Sequence, residues 1–174
     1  MHKLMKKYKF IQLTIFLAFM SMFMLTACED SPTSSKLQYP PDNEYKVTIT
    51  QGVWGNVWFW EGNFMPIIDP NRARIIPVIR KIYVYEATND SMVERSGIGP
   101  FFRKINSKLI TTLYSEIDGF YQVSLPPGKY SFFVKEDSLF YANSWDGEGD
   151  ILSAAVTENN IVKNQIDITY KATF

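Results

Sequence analysis

The chain has 174 residues, of which 46% are hydrophobic and 16% aromatic, and its 18 basic residues balance its 18 acidic ones. The single histidine, His2, and the single cysteine, Cys28, both lie near the N-terminus. The rest of the chain therefore offers no Ser-His-Asp or Cys-His catalytic site, no ordinary zinc site and no internal disulfide. Without a basic excess, no nucleic-acid partner is expected.

The first 27 residues have the order of a secretory signal peptide. Four lysines precede an uncharged apolar run from Phe10 to Ala27, which predicts export and removal of residues 1–27. A transmembrane anchor is the alternative, because the run is nearly long enough to span a bilayer. The segment Leu25-Thr26-Ala27-Cys28 resembles the lipobox of bacterial lipoproteins, which implies that Cys28 is lipidated and becomes the new N-terminus. We therefore expect an exported protein, anchored by lipid to the outer membrane.

Cleavage before Cys28 leaves 147 residues with a formal charge of −4, which is the size of one domain. Residues 28–43 are rich in Ser, Pro and charge, so a disordered or extended tether is predicted there. Glu29-Asp30 resembles the acidic signal that sends lipoproteins to the cell surface in some Gram-negative bacteria. A solvated start of the tether is the alternative. The folded domain is predicted over residues 44–174.

From Glu44 onwards, short runs rich in β-branched and aromatic residues alternate with a period of two, and turn residues separate them. No window has the pattern of an amphipathic helix. We therefore predict an all-β sandwich of about seven strands. The runs are "EYKVTIT", "NVWFWE", "KIYVYEA", "KLITTLYSE", "FYQVSL", "KYSFFVK" and "IVKNQIDITYK".

The segment "DGFYQVSLPPGKYSFFV", residues 118–134, predicts a hairpin between two core strands. Asp118-Gly119 opens it, because glycine accepts a positive φ angle. Pro127-Gly128 suits the centre of a type II turn. Tyr130 is predicted to act as a tyrosine corner, with its hydroxyl bonded to backbone upstream.

The pattern T-x-x-x-E-x-D-G-x-Y-x-V-x-L-P-P-G-x-Y-x-F-x-V, which starts at Thr112, resembles the central signature of carboxypeptidase regulatory-like domains. The similarity extends to "GNV" at 55–57 and "GNFMP" at 62–66. These domains are transthyretin-like Greek-key sandwiches of about seven strands. The resemblance therefore implies that fold, an accessory role, no catalytic residues and no cofactor. The segments Ile67–Arg80 and Thr88–Ser107 depart from the pattern of the family.

Three tryptophans, Trp54, Trp58 and Trp60, share one side of a predicted strand. They point outward if Val57 and Phe59 point into the core. Outward tryptophans could form a stacking platform for sugar rings or for a partner protein. The alternative, which we predict for Trp58 above all, is burial under the apolar loop Thr88–Ser107.

The turn "WDGEGD" places Asp146, Glu148 and Asp150 at alternate positions, as at the start of a calcium loop. Ile151 stands where such a loop needs glycine, and Thr157 where it needs a bidentate glutamate. We therefore predict an acidic turn, with calcium binding as the alternative.

The sequence favours a non-catalytic, lipid-anchored envelope protein that acts as a structural or adhesive accessory module. Acidic residues that a glycosidase would need are present, but they stand at predicted strand ends and turns, where they are common: Glu61, Glu86, Glu116 and Asp118. Two alternatives stay open, a glycan-binding lipoprotein that uses the three tryptophans and a calcium-dependent adhesin that uses the acidic turn. Besides the membrane, the expected partner is an envelope protein or a glycan.

Overall fold

The computed structural model describes residues 38–65 and 73–174, which belong to one compact unit. Within these ranges the chain forms twelve β-strands, two single-turn 3-10 helices and no α-helix, and none of it is a helix that could cross a membrane. The predicted signal peptide, Cys28 and the first part of the predicted tether lie outside the described residues. The strands are β1 (Gly52–Asn63), β2 (Arg74–Pro77), β3 (Lys81–Glu86), β4 (Val93–Arg95), β5 (Phe101–Ile105), β6 (Leu109–Tyr114), β7 (Phe120–Val123), β8 (Gly128–Glu136), β9 (Leu139–Tyr141), β10 (Ser153–Val156), β11 (Ile161–Lys163) and β12 (Ile166–Thr173).

The first sheet is built around β1, whose twelve residues are long enough to pair with two strands on each side. Its N-terminal half pairs with β11 in parallel and with β7 in antiparallel orientation. Its C-terminal half pairs with β12 in parallel and with β2 in antiparallel orientation. Each of the other four strands of this sheet therefore forms its backbone hydrogen bonds with β1.

The second sheet has seven antiparallel strands in the order β4-β5-β9-β8-β3-β6, and β10 also pairs with β8. The long strand β8 is central here, because β3 lies along one side of it while β9 and β10 share the other. The chain changes sheet after β2, β6, β7 and β10. The two sheets confirm the predicted all-β sandwich, and several strands of only three or four residues raise the number to twelve.

The core lies between the sheets and follows the predicted alternation. Val53, Val57 and Phe59 of β1 are buried on the inner face, and Phe132 of β8 packs against Tyr121 of β7 from the opposite sheet. Strand β8 is also buried on its other face, where a second aromatic cluster forms. Phe133 makes edge-to-face contacts there with three rings: Tyr85, Phe102 and Phe140.

The position of Phe102 corrects the predicted role of the Thr88–Ser107 loop. This segment forms β4 and β5, which extend the second sheet instead of folding over the tryptophans of β1. Phe102 is fully buried against Phe133, and Phe101 contacts Tyr141 and Tyr170. The two phenylalanines of the loop therefore pack within the second sheet and between the sheets, whereas Met92 and Ile98 are exposed.

The predicted hairpin is wrong in its pairing, although its turn residues behave partly as expected. Strands β7 and β8 lie in different sheets, so Pro126-Pro127-Gly128 is a connection between sheets. Gly128 has a φ of 159°, far from the value of about 80° that a type II turn requires. Gly119 has the expected positive φ, at 82°. The hydroxyl of Tyr130 donates to the carbonyl of Pro126 at 3.0 Å, which confirms the tyrosine corner.

Residues 38–48, which we call the strap, lie along the outer face of the first sheet. The run from Glu44 begins with a 3-10 helix, Glu44–Lys46, instead of the predicted strand. Asn43 is buried, and its amide donates to the side-chain oxygen of Asn56 at 2.8 Å and to the carbonyl of Asp118 at 3.2 Å. This corrects the end of the predicted tether, because residues 38–43 belong to the folded domain.

Candidate functional site

The tryptophans of β1 do not form an open platform. They point away from the core as predicted, but Trp54 is only 6% exposed, with the ammonium of Lys163 above its ring at 5.1 Å. Trp58 and Trp60 are half-buried. The ring of Tyr39, from the strap, lies 6.3 Å from that of Trp58 and 5.8 Å from that of Trp60. Chain from the same molecule covers this face, but it is the strap and not the predicted loop.

The acidic turn already holds a cation of its own. The ammonium of Lys129 lies 2.6 Å from Asp146, 2.7 Å from Glu148 and 2.7 Å from Asp150, where the three carboxylates converge. Hydrogen bonds from Lys129 and Ser153 hold the pKa of Asp146 well below its usual range. The same carboxylates raise the pKa of Lys129. This arrangement argues against the calcium alternative, because the ammonium takes the position that an ion would need.

We expect calcium to leave the stability of the protein unchanged. With Lys129 in place, 1 mM calcium should raise the free energy of unfolding by less than about 0.1 kcal/mol. This is the limit for a site whose dissociation constant is at least about tenfold higher than the calcium concentration. Lys129→Met should lower the melting temperature and make it rise with calcium, because three carboxylates are left without their cation. Lys104→Met, in an exposed ion pair with Glu94, is the control. A calcium-dependent melting temperature of the unaltered protein would contradict the assignment.

The other carboxylates considered as catalytic candidates lie beside cations. Glu61 pairs with Arg74, and Glu86 lies 3.6 Å from Lys108. Lys46 of the strap pairs with two more, Glu116 and Asp118. These contacts give each of the four carboxylates a structural partner at a strand end or turn.

A polar cleft of about 390 Å³ opens beside Trp60, and we call it the Trp60 cleft. Its lining comes from β1, from β12 and the residues next to it, and from the segment between β9 and β10. The lining residues are Trp60, Asn143, Ser144, Leu152, Gln165, Asp167, Thr169 and Phe174.

In the part of the chain that the structure describes, Asp167 is the one ionisable side chain that lines the Trp60 cleft. One oxygen of its carboxylate, Oδ1, accepts from Nε1 of Trp60 at 2.9 Å and from Nε2 of Gln165 at 3.2 Å. Burial raises the pKa of Asp167, although both hydrogen bonds act in the opposite direction. Among the described residues no cation pairs with this carboxylate, so its charge is balanced by hydrogen bonds alone.

Contacts with three other aromatic rings hold the aromatic wall of the cleft in place. The ring of Trp60 contacts those of Tyr39, Phe64 and Phe174, with centroids 5.8, 5.1 and 6.2 Å away. Phe64 and Phe174 stack on each other at 5.5 Å. Together with the hydrogen bond to Asp167, these contacts fix the indole in one orientation.

The polar wall is partly paired within itself. Nδ2 of Asn143 donates to Oγ1 of Thr169 at 2.8 Å, and the backbone amide of Thr169 donates to the hydroxyl of Tyr141 at 2.9 Å. Side-chain oxygens of Asn143 and Asp167 are left with capacity to accept further hydrogen bonds. The cleft therefore combines one aromatic wall with several fixed amide, hydroxyl and carboxylate groups.

Apart from Trp60, sequence reasoning missed the lining of this cleft. A signal was present in "NQIDIT", where Gln165, Asp167 and Thr169 alternate with buried isoleucines, which places the polar residues together on one face. What the pattern could not supply was the wall from the segment between β9 and β10, which comes close only in the folded chain.

No protein-family model matches the chain, and neither a curated protein nor a solved structure with significant similarity is found. The resemblance to carboxypeptidase regulatory-like domains therefore stays a prediction.

Proposed function

We propose that this protein is a non-catalytic accessory module of the cell envelope, anchored by lipid at Cys28 to the outer membrane. The observation that carries the proposal is the segment Leu25-Thr26-Ala27-Cys28. A single acyl chain binds membranes only marginally, whereas two or more anchor stably. The acylation that the lipobox implies would therefore hold the sandwich at the membrane.

A non-catalytic role is supported by the chemistry of the side chains. The chain after Cys28 contains no histidine and no further cysteine. Glycoside hydrolysis needs two carboxyl groups that face each other across a substrate, and among the described residues only one side-chain carboxylate, that of Asp167, lines the Trp60 cleft. An adhesive or structural module is the reading that these groups favour.

A second candidate, a glycan-binding surface lipoprotein, is favoured by one specific observation. The three tryptophans do not offer the platform first considered for it, but Trp60 forms the aromatic wall of a polar cleft. The two candidates agree on the anchor and differ in whether the cleft has a ligand. The acidic pair Glu29-Asp30 would extend either one to the outer surface of the cell.

Changing Cys28 to Ala should abolish the lipid anchor. No other thiol is available for acylation, so the protein should move to the soluble envelope fraction or stay uncleaved. Fractionation of cells, with the mass of the purified protein, measures both outcomes. Ser31→Ala is the control and should leave fractionation unchanged. A Cys28→Ala protein that is cleaved, unacylated and still bound to the membrane would contradict the proposal.

A further inference from the structure

We propose that the Trp60 cleft binds a neutral carbohydrate. The inference rests on the proposed role as a non-catalytic module and gives that module a ligand class. It does not depend on the lipid anchor, because every group that carries it belongs to the described domain.

The aromatic wall suits the apolar face of a sugar ring. Trp60 is half-buried, and its indole is fixed by Asp167 on one edge and by Phe64 and Phe174 around it. A ring held in this way loses little conformational entropy when a ligand packs against it, and this improves affinity. Aromatic rings with a wet edge are the usual way in which proteins offer apolar area next to hydrogen-bonding groups.

The polar wall suits hydroxyl groups. The carboxylate of Asp167 uses Oδ1 for Trp60 and Gln165, which leaves Oδ2 to accept from a ligand. Hydrogen bonds to an ionised acceptor are about twice as strong as those between neutral groups. Asn143, Ser144 and Thr169 add amide and hydroxyl groups that both donate and accept. A ligand with several adjacent hydroxyls satisfies this set better than a ligand with one functional group.

The charge of the cleft selects among sugars. Among the described residues, Asp167 is the only lining side chain that carries a charge, and no cation pairs with it, so a phosphate, sulfate or uronic acid would be repelled. A cationic ligand is the competing class, since a carboxylate beside an aromatic ring attracts ammonium groups. The neutral amides and hydroxyls that form most of the polar lining favour the uncharged sugar.

The size of the cleft sets the length of the ligand. A volume of about 390 Å³ lies at the lower end of the range for small-molecule sites, roughly 300 to 1,000 Å³. We therefore expect the cleft to take a short stretch of a glycan, whose remaining units extend into solvent.

Titration calorimetry on the full chain, purified in detergent, tests the proposal. The probes are four neutral hexasaccharides: cellohexaose, xylohexaose, mannohexaose and maltohexaose. We expect at least one to bind and to change the tryptophan fluorescence. Asp167→Asn should weaken that binding about 10-fold to 100-fold, the loss that follows removal of a hydrogen bond to a charged acceptor. Trp60→Ala should weaken it at least as much, and Trp60→Phe less, because an aromatic wall remains.

Two controls separate the cleft from the rest of the surface. Trp145→Phe removes an exposed indole that bonds to Asp90, outside the cleft, and Asp137→Asn removes an exposed carboxylate. Both should leave binding unchanged, and the melting temperature of each variant shows whether it is folded.

Failure of all four probes to bind would overturn the proposal. Unchanged affinity of a folded Asp167→Asn protein would also overturn it, and so would unchanged affinity of both the Trp60→Phe and the Trp60→Ala proteins. Saturable binding of choline that displaces the sugar would overturn it as well. The calorimetry uses purified protein, so its result does not depend on the lipid anchor. Sugar binding together with unchanged membrane fractionation of Cys28→Ala would reject the anchor alone. No sugar binding together with loss of membrane fractionation in Cys28→Ala would reject the ligand of the cleft alone.

Discussion

Gly55→Val should leave little or no folded protein. A Cβ atom at Gly55 would lie 1.9 Å from the carbonyl oxygen of Asn164 and 3.1 Å from the ring of Tyr121. The first distance is far inside van der Waals contact with a backbone atom that cannot rotate away. Overpacking of a core costs about 1 to 3 kcal/mol and occasionally more.

Asn164 cannot retreat without further loss. Asn164 lies between β11 and β12. Its backbone amide donates to the backbone carbonyl of Trp54 at 2.8 Å, and its backbone carbonyl accepts from the buried hydroxyl of Tyr121 at 2.6 Å. Separating the last pair would leave a buried donor without a partner, at about 1 to 3 kcal/mol. The two effects together, about 2 to 6 kcal/mol, reach the lower end of the stability of an ordinary domain, which is about 5 to 15 kcal/mol.

Expression yield and urea unfolding measure the effect. Gly147→Val is the matched control, because a Cβ atom there meets nothing within 4 Å. It should change the free energy of unfolding by no more than about 0.5 kcal/mol. A Gly55→Val protein that unfolds at the same urea concentration as the original would refute the close crossing of Asn164 over β1.

Glu136→Ala should destabilise the protein by about 3 kcal/mol. The carboxylate of Glu136 is only 6% exposed, forms an ion pair with Arg80 and accepts from the hydroxyl of Tyr170 at 2.8 Å. Removing one partner of a buried pair costs about 3 to 5 kcal/mol. We expect the lower end, because the side chain of Arg80 is 29% exposed and water can replace part of the contact.

Glu94→Ala is the matched control for this loss. Glu94 and Lys104 also form an ion pair between strands, but both side chains are more than half exposed. Such pairs contribute about 0 to 1 kcal/mol. Equal losses in the two variants, measured by urea unfolding, would show that the pair of Glu136 and Arg80 is no better shielded than a surface pair.

The hydrogen bond from Tyr170 to Glu136 should also make the free energy of unfolding depend on pH in alkaline solution. Burial and the hydrogen bond to Glu136 raise the pKa of Tyr170 to about 12. Because this exceeds the unfolded value of about 10, the stabilisation is fully present below pH 10 and is lost as the pH rises to 12. The stability difference between the original protein and Tyr170→Phe should therefore shrink over that window.

The alternation of side chains within single strands could be predicted from the sequence. Val57 and Phe59 point inward, and Tyr130 caps its own connection, because both properties depend on residues a few positions apart. The pairing of strands could not be predicted in the same way. Nothing local in the sequence of β7 or β8 states that they join different sheets, since their partners β1 and β3 are distant in the chain.

The candidate site was harder to predict for a related reason. Both faces of β1 are apolar, so the sequence could not distinguish a face that waits for a ligand from one covered by its own chain. The cover comes from Tyr39 and Asn43, which stand in a polar, proline-rich stretch that has the composition of a tether. The composition of this stretch predicts a tether, because it averages over all its residues. The contacts of Tyr39 and Asn43 with β1 instead place the strap on the sheet.

If Cys28 is lipidated as we propose, the position of the strap would also limit how far the domain stands from the bilayer. Nine residues of the sequence separate Cys28 from residue 38, the first residue of the strap. A fully extended stretch of that length spans at most about 32 Å, compared with about 54 Å for the fifteen residues of a tether that ends at residue 43. A domain held within that distance of the membrane would meet partners bound to the same surface at a high effective concentration and would rarely meet distant ones. Weak affinity for a partner on that surface would then be enough for occupancy.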